Sequence, residues 1–181
     1  MYTSHLKNLR VIGEEIMQIV EGARVDLTAV TPGNVEAVAI ADVLLEVDNV
    51  TEHIFRNKVV KQGDLIVNII FKGSDGVMYH ATVALPFEEE VEIGGIVPGI
   101  KINGQVRVPV QDAEDTTLDI QNYILELDAD ATPMDMDCDG LFDTVHVKAL
   151  ARILVKVSRW EQMDVFVNGR DGVFRFSGRD C

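Results

Sequence analysis

Between Lys58 and Gly95 the chain alternates apolar and polar residues almost without interruption. Val59, Leu65, Val67, Ile69 and Phe71 share one parity, with Lys61 and Gly63 as exceptions. After Ser74-Asp75-Gly76, a second run places Val77, Tyr79, Ala81, Val83, Leu85, Phe87, Val91 and Ile93 in phase, broken only by Glu89. A period of two over such a length predicts strands with one buried face and fits no helix. The Asp-Gly pair between the runs is a strong hairpin signal. Pro86 has no N–H to give to a ladder, so it predicts an edge position or a bulge in the second strand.

The remaining chain shows the same period in shorter pieces. Val35, Ala37, Ala39, Ala41, Val43, Leu45 and Val47 predict one strand, and Val50–Phe55 a second, short one. Ile100, Ile102, Val106, Val108 and Val110 predict another, with Gly104 marking a bulge or close packing. Gln111–Asp115 reads as a solvated acidic loop. Leu118 and Ile120 have one parity and Tyr123, Leu125 and Leu127 the other, a slip near Gln121-Asn122 that predicts a β-bulge. Val145, Val147, Ala149, Ala151, Ile153, Val155 and Val157 form the most regular face, with His146, Lys148, Arg152 and Lys156 opposite. Residues 1–34, with mixed spacing and interruptions at Gly13 and Gly22, read as a short N-terminal arm of small strands ending at the turn Thr31–Asn34. Residues 161–181, with Asn168-Gly169 and Asp171-Gly172 before Phe174 and Phe176, read as a small C-terminal hairpin and tail. The fold class is therefore all-β: an antiparallel β-sandwich over 35–160, flanked by the N-terminal arm and the C-terminal hairpin.

Composition narrows the partners. The 181 residues carry 16 basic and 30 acidic side chains, a formal charge of −14. Phosphate backbones and anionic headgroups need local positive charge, so nucleic acid is not an expected partner. No apolar run of roughly 18 residues suits a membrane-spanning helix. The first residues lack the basic-then-apolar layout of a classical signal peptide, so synthesis in the cytoplasm is expected. Cys138 and Cys181 are too few for a disulfide framework.

The stretch NKVVKQGDLIVNIIFKGSDGVMYHATVALPFEEEVEIGGIVPG, preceded by LLEVDNVTEHIF and followed later by VHVKALARILVKVS, resembles the SPOCS-type domain family of spore-forming bacteria. The matching features are the strand start at Lys58-Val59, the hairpin around Asp75-Gly76, Pro86-Phe87 and the glycine-rich turn at Gly94-Gly95. The resemblance implies a protein of spore envelope or coat assembly. It carries over no catalytic residue, because the family's motifs are structural. Two departures stand out: Glu88-Glu89-Glu90 follow Pro86-Phe87 where relatives often have a small hydroxyl residue, and the chain has neither a cell-wall-binding module nor a second copy of the domain.

Candidate chemistry is sparse. His5, His53, His80 and His146 form no cluster with ligand spacing, and no nucleophile elbow, phosphate loop or dinucleotide fingerprint occurs, so an enzyme is not expected. One constellation stands apart. Asp135, Asp137, Asp139 and Asp143, with Gly140 at the turn and the Leu141 carbonyl, have the alternate-residue oxygen spacing of a Ca²⁺ loop. Two readings of it stand: a structural calcium site, or an acidic, solvated hairpin tip. Phe174 and Phe176 are aromatics that need covering, by this chain or a neighbour, and the terminal Cys181 is placed to cross-link subunits. Together these features lead to the expectation of a non-enzymatic, self-assembling subunit of a spore or cell-envelope layer or filament. Its partners would be copies of itself and other envelope proteins, and its final location the spore or cell surface. The alternative is a carbohydrate- or peptidoglycan-binding sandwich, although Trp160 is the sole tryptophan for a sugar platform.

Overall fold

The computed structural model describes residues 2–96, 100–102, 105–107, 118–167 and 174–176, with side chains described over 8–96 and 118–160. Two antiparallel sheets pack face to face. The first contains β1 (Tyr2–Asp26), β7 (Leu118–Met134) and β8 (Thr144–Val167) in the order β1-β8-β7, with β9 (Phe174–Phe176) also pairing β8. The second contains β2 (Ala37–Phe55), β3 (Lys58–Gly73) and β4 (Met78–Glu92) in the order β2-β3-β4. A separate small pair joins β5 (Ile100–Ile102) to β6 (Gln105–Arg107). β4 packs over β1 and β2 over β7, which leaves the central strands β3 and β8 to face each other.

Those central strands supply most of the core. Leu65, Val67, Ile69 and Phe71 of β3 and Val145, Val147, Val155 and Val157 of β8 have no exposed surface, as their alternation predicts. Both strands have a neighbour on each side, so each inward residue is covered by the opposite sheet and flanked within its own. The β3–β4 hairpin keeps an unbroken register from Lys58↔Glu92 to Lys72↔Met78. Its tip needs Gly76 at φ 85°, a conformation costly for any residue with a Cβ. Asp75 caps the turn, accepting from the Val77 amide and from the Tyr79 hydroxyl at 2.6 Å. That hydroxyl, and then the amide, hold the Asp75 carboxyl below its ordinary value, while the same hydrogen bond raises the Tyr79 phenol. Pro86 lies on β4, an edge of its sheet, as expected of a residue that cannot donate. Gly63, an exception in the β3 pattern, is a glycine because a Cβ there would lie 2.9 Å from the Phe87 ring.

Three sequence expectations change. Residues 2–26 are not a series of short strands but one 25-residue strand, paired with β8 from Tyr2↔Val167 to Asp26↔Thr144. Gly13 and Gly22 do not end it, because a long partner fixes the extended backbone and overrides weak local preference. The irregularity near Gly13 appears instead as a register shift between Val11 and Gly13. Val35–Val47 and Val50–Phe55 merge into one strand, β2, whose register shifts at Ala37/Ala39, Ile40/Asp42 and Asp48/Thr51. These bulges swap parity, so Ile40 and Val43 pack against the core while Ala39 and Ala41 are exposed. The β7 bulge falls between Ile124 and Glu126 rather than at Gln121-Asn122. Gly104, Val108, Val110, Gln111–Asp115, Asn168-Gly169 and Asp171-Gly172 lie outside the described residues.

The outer face of the first sheet pairs opposite charges, as in Arg152 with Glu126 at 3.1 Å. One buried polar group breaks the pattern: Ser158 has no exposed surface and its hydroxyl has no hydrogen-bond partner among the described residues. An unmet buried hydroxyl costs more than the methyl that would replace it. Ser158→Ala is therefore expected to stabilise the fold by about 1 kcal/mol, read as a higher denaturant midpoint with an unchanged slope.

Candidate functional site

The two long edges of the sandwich differ. On the β1–β4 side, Met17, Ile19, Phe87, Val91 and Ile93 are buried and the sheets close on each other. On the β2–β7 side, Val43, Leu45, Val47 and Ile54 of β2 and Leu118 and Ile120 of β7 are only partly covered. Around its bulge, β7 exposes Tyr123, Ile124, Leu125 and Leu127, from 36% for Leu127 to 56% for Ile124. β7 is also an edge strand, with no strand on its far side among the described residues. The bulge is what displays these residues: before it the inward parity is Ile120 and Asn122, after it Leu127, Ala129 and Ala131. Apolar side chains at neighbouring positions thus leave the backbone in different directions.

Next to this edge lies a polar cluster inside the sandwich. Lys61 of β3 has no exposed surface, although it stands at an inward position between Val59 and Leu65. Its register partner on β2 is Glu52, whose Oε1 accepts from Lys61 Nζ. Asn122 of β7 reaches across from the other sheet and donates through Nδ2 to the same oxygen. Glu89, the interruption in the β4 pattern, is the register partner of Lys61 on its other side and is half-buried. A buried ammonium demands such partners, because stripping its water without compensation is prohibitive. Asn122 itself is exposed at the open edge, on the parity of Ile120, and the β7 register holds as far as Ile124.

The aspartate loop joins β7 to β8. Asp137 Oδ1 accepts from the amides of Asp139 at 3.0 Å and Leu141 at 2.8 Å. The Leu141 carbonyl accepts from the Asp137 amide at 2.9 Å, and Asp135 lies 3.4 Å from the Arg24 guanidinium. The Asp143 side chain is exposed while its carbonyl accepts from the Leu27 amide. Among the described residues no three His, Cys, Asp or Glu side chains stand together as a set able to hold a metal ion. Its hydrogen bonds instead make Asp137 a loop-closing residue. Asp137→Ala is expected to lower the melting temperature equally in chelator and in millimolar calcium, by the loss of hydrogen bonds together worth about 1–2 kcal/mol. A wild-type melting temperature that rises with calcium, and does so only with Asp137 present, would assign the loop to the metal.

The other sequence candidates fall at the C-terminal end. Phe174 and Phe176 lie on β9, opposite Val167 and Val165 of β8, with side chains outside the described set. Since β1 occupies one side of β8 along its full length, β9 takes the side that β7 occupies further along. Cys181 lies outside the described residues, and Cys138 is an exposed free thiol. His80 and His146 do lie away from the core, with His80 Nε2 3.1 Å from Asn68 Oδ1. Sequence reasoning missed Glu52, Lys61 and Asn122 as a unit, and the β7 edge as a surface. Lys61 on an otherwise apolar face was the available signal for the first. The apolar residues of both parities over Tyr123–Leu127 were the signal for the second.

The geometry is that of an antiparallel β-sandwich module with one closed and one open edge. Residues 34–121, a little under half of the chain, match the family model described as SipL, SPOCS domain, the family that its motifs resemble. The matched segment contains the whole of the β2-β3-β4 sheet and only the start of β7, leaving β1 and β8 beyond it. Neither the curated proteins nor the solved structures gave a match. Among the described residues, no helix is long and apolar enough to cross a membrane.

Proposed function

We propose that this protein is a non-enzymatic structural subunit of a spore-envelope layer or filament, and that it associates with further copies of itself and with other envelope proteins at the spore surface. The observation that carries this reading is the β7 edge, where Tyr123, Ile124, Leu125 and Leu127 stand exposed on a strand that has no neighbour on its far side among the described residues. Stable monomers blunt such edges with charge, proline or covering elements. Adding a strand from a second subunit satisfies the free N–H and C=O groups and removes the apolar side chains from water in one step. The acidic side chains Glu126, Asp128 and Asp130 on the same strand, and the net charge of −14, keep the dispersed subunit soluble and limit association to a matched register. Electron microscopy of the purified full chain tests this. Ordered layers or filaments are expected, and Leu125→Lys, which places a charge on the edge without touching the core, is expected to disperse them. Dispersed particles of single-subunit size in the wild-type sample would contradict it.

A further inference from the structure

Lys61, Glu52 and Asn122 come from three strands and both sheets. An ion pair needs only the first two. The third member is a carboxamide, and it hangs on the same carboxylate oxygen as the amine, through Asn122 Nδ2 and Lys61 Nζ. The arrangement therefore holds a primary amine, an amide carbon one bond from Nδ2, and a carboxylate hydrogen-bonded to both nitrogens. Lys61 is fully buried and Glu52 keeps only 24% of its side-chain surface, so bulk water is kept from the amine. These are requirements for amide exchange: a buried nucleophile next to a base, sharing one hydrogen-bond acceptor with an electrophile that stands at the exposed edge, where ammonia can leave.

We propose that Lys61 and Asn122 join in an intramolecular amide bond, with Glu52 as the proton carrier. Glu52 accepts one proton from the Lys61 ammonium, which frees the lone pair on Nζ. Nζ bonds to Asn122 Cγ, and a second proton passes from Nζ to Nδ2. The Cγ–Nδ2 bond breaks, and ammonia departs, taking up the proton held by Glu52. The lysine keeps one N–H in the new amide, the carboxylate is restored, and the positive charge leaves as ammonium. No electron is transferred and no co-reactant is consumed. The reaction occurs once per chain and turns nothing over.

The bond would tie β3 of one sheet to β7 of the other, beside the open edge. It would lock the β2–β7 side of the sandwich where packing is weakest, and it would act as a cross-link acts, by restricting the unfolded chain. It would also remove the buried charge at Lys61, replacing an ion pair that needs constant compensation with a neutral amide.

Mass spectrometry of the full-length protein, purified under native conditions, decides the matter without a variant. The expected intact mass is that of the sequence less one ammonia. After trypsin, residues 59–72, uncleaved at Lys61, should be recovered joined to residues 108–148. Glu52→Gln and Lys61→Arg should each restore the full mass, and the variant peptides should run separately. A wild-type chain of full mass, cleaved at Lys61 and with Asn122 unmodified, would overturn the proposal. So would an ammonia loss that maps to Asn168-Gly169, where a succinimide forms without any partner.

Discussion

Removal of residues 2–26 is expected to abolish cooperative folding. β1 pairs with β8 along the whole of that central strand and places Met17 and Ile19 in the core. Without β1, one side of β8 is a long bare edge, and the buried row from Val145 to Val157 loses the neighbour that shields it. Fully burying one such side chain contributes about 1.5–3 kcal/mol, and a domain of this kind is stable by only about 5–15 kcal/mol in total. Losing two core residues along with an entire ladder exceeds that margin. The truncated chain should show no sigmoidal thermal transition and should be cut rapidly by protease. Removal of residues 168–181 touches only the three-residue β9 and is expected to leave the transition in place. A truncation lacking 2–26 that melts as sharply as the full chain would show that the strand is an appendage.

Glu52→Ala is the most damaging single substitution of a charged residue that the structure implies. It leaves Lys61 as an ammonium with no exposed surface, since the carboxylate it takes away is both the ion-pair partner and the proton carrier that the amide bond would need. Breaking a buried pair from one side costs about 3–5 kcal/mol, and with Glu52 itself 24% exposed the loss should fall near the lower figure. The exposed pairs Lys58–Glu90 and Arg152–Glu126, at 2.7 and 3.1 Å, provide the contrast. Solvent screens them, and alanine at either should cost less than about 1 kcal/mol. Adding Lys61→Met to Glu52→Ala should recover part of the loss, since no buried charge then remains without a partner. Chemical denaturation of the four proteins checks the ranking. Equal midpoints for Glu52→Ala and Arg152→Ala would mean that the Lys61 environment is wetter than its burial indicates.

The β3–β4 hairpin and the inward face of β8 were legible because their apolar residues keep strict alternation between tight turns or over a long uninterrupted run. Central strands are covered on both sides, so every inward position must be apolar or specially compensated. Edge strands obey that rule less closely. β2 carries three register shifts, and each one reverses which parity faces inward. In β7 the exposed Asn122 amide donates to Glu52 of the opposite sheet, a partner 70 residues away in sequence. No local pattern contains that information. β1 failed for a related reason: its glycines and mixed spacing describe a weak strand, and only a partner as long as β8 makes it a continuous one. The aspartate loop was legible as a turn. Spacing alone did not foretell that Asp137 Oδ1 and the Leu141 carbonyl would be occupied by the loop's own amides.

The association of subunits through the β7 edge is tested most directly by sedimentation velocity of the full-length protein over a dilution series reaching tens of micromolar, with Leu125→Lys in parallel. The wild-type weight-average coefficient should rise with concentration above that of a single sandwich. Leu125→Lys should stay at the single-subunit value throughout, with an unchanged melting temperature. A wild-type chain that sediments as one compact subunit across the whole series would contradict the account.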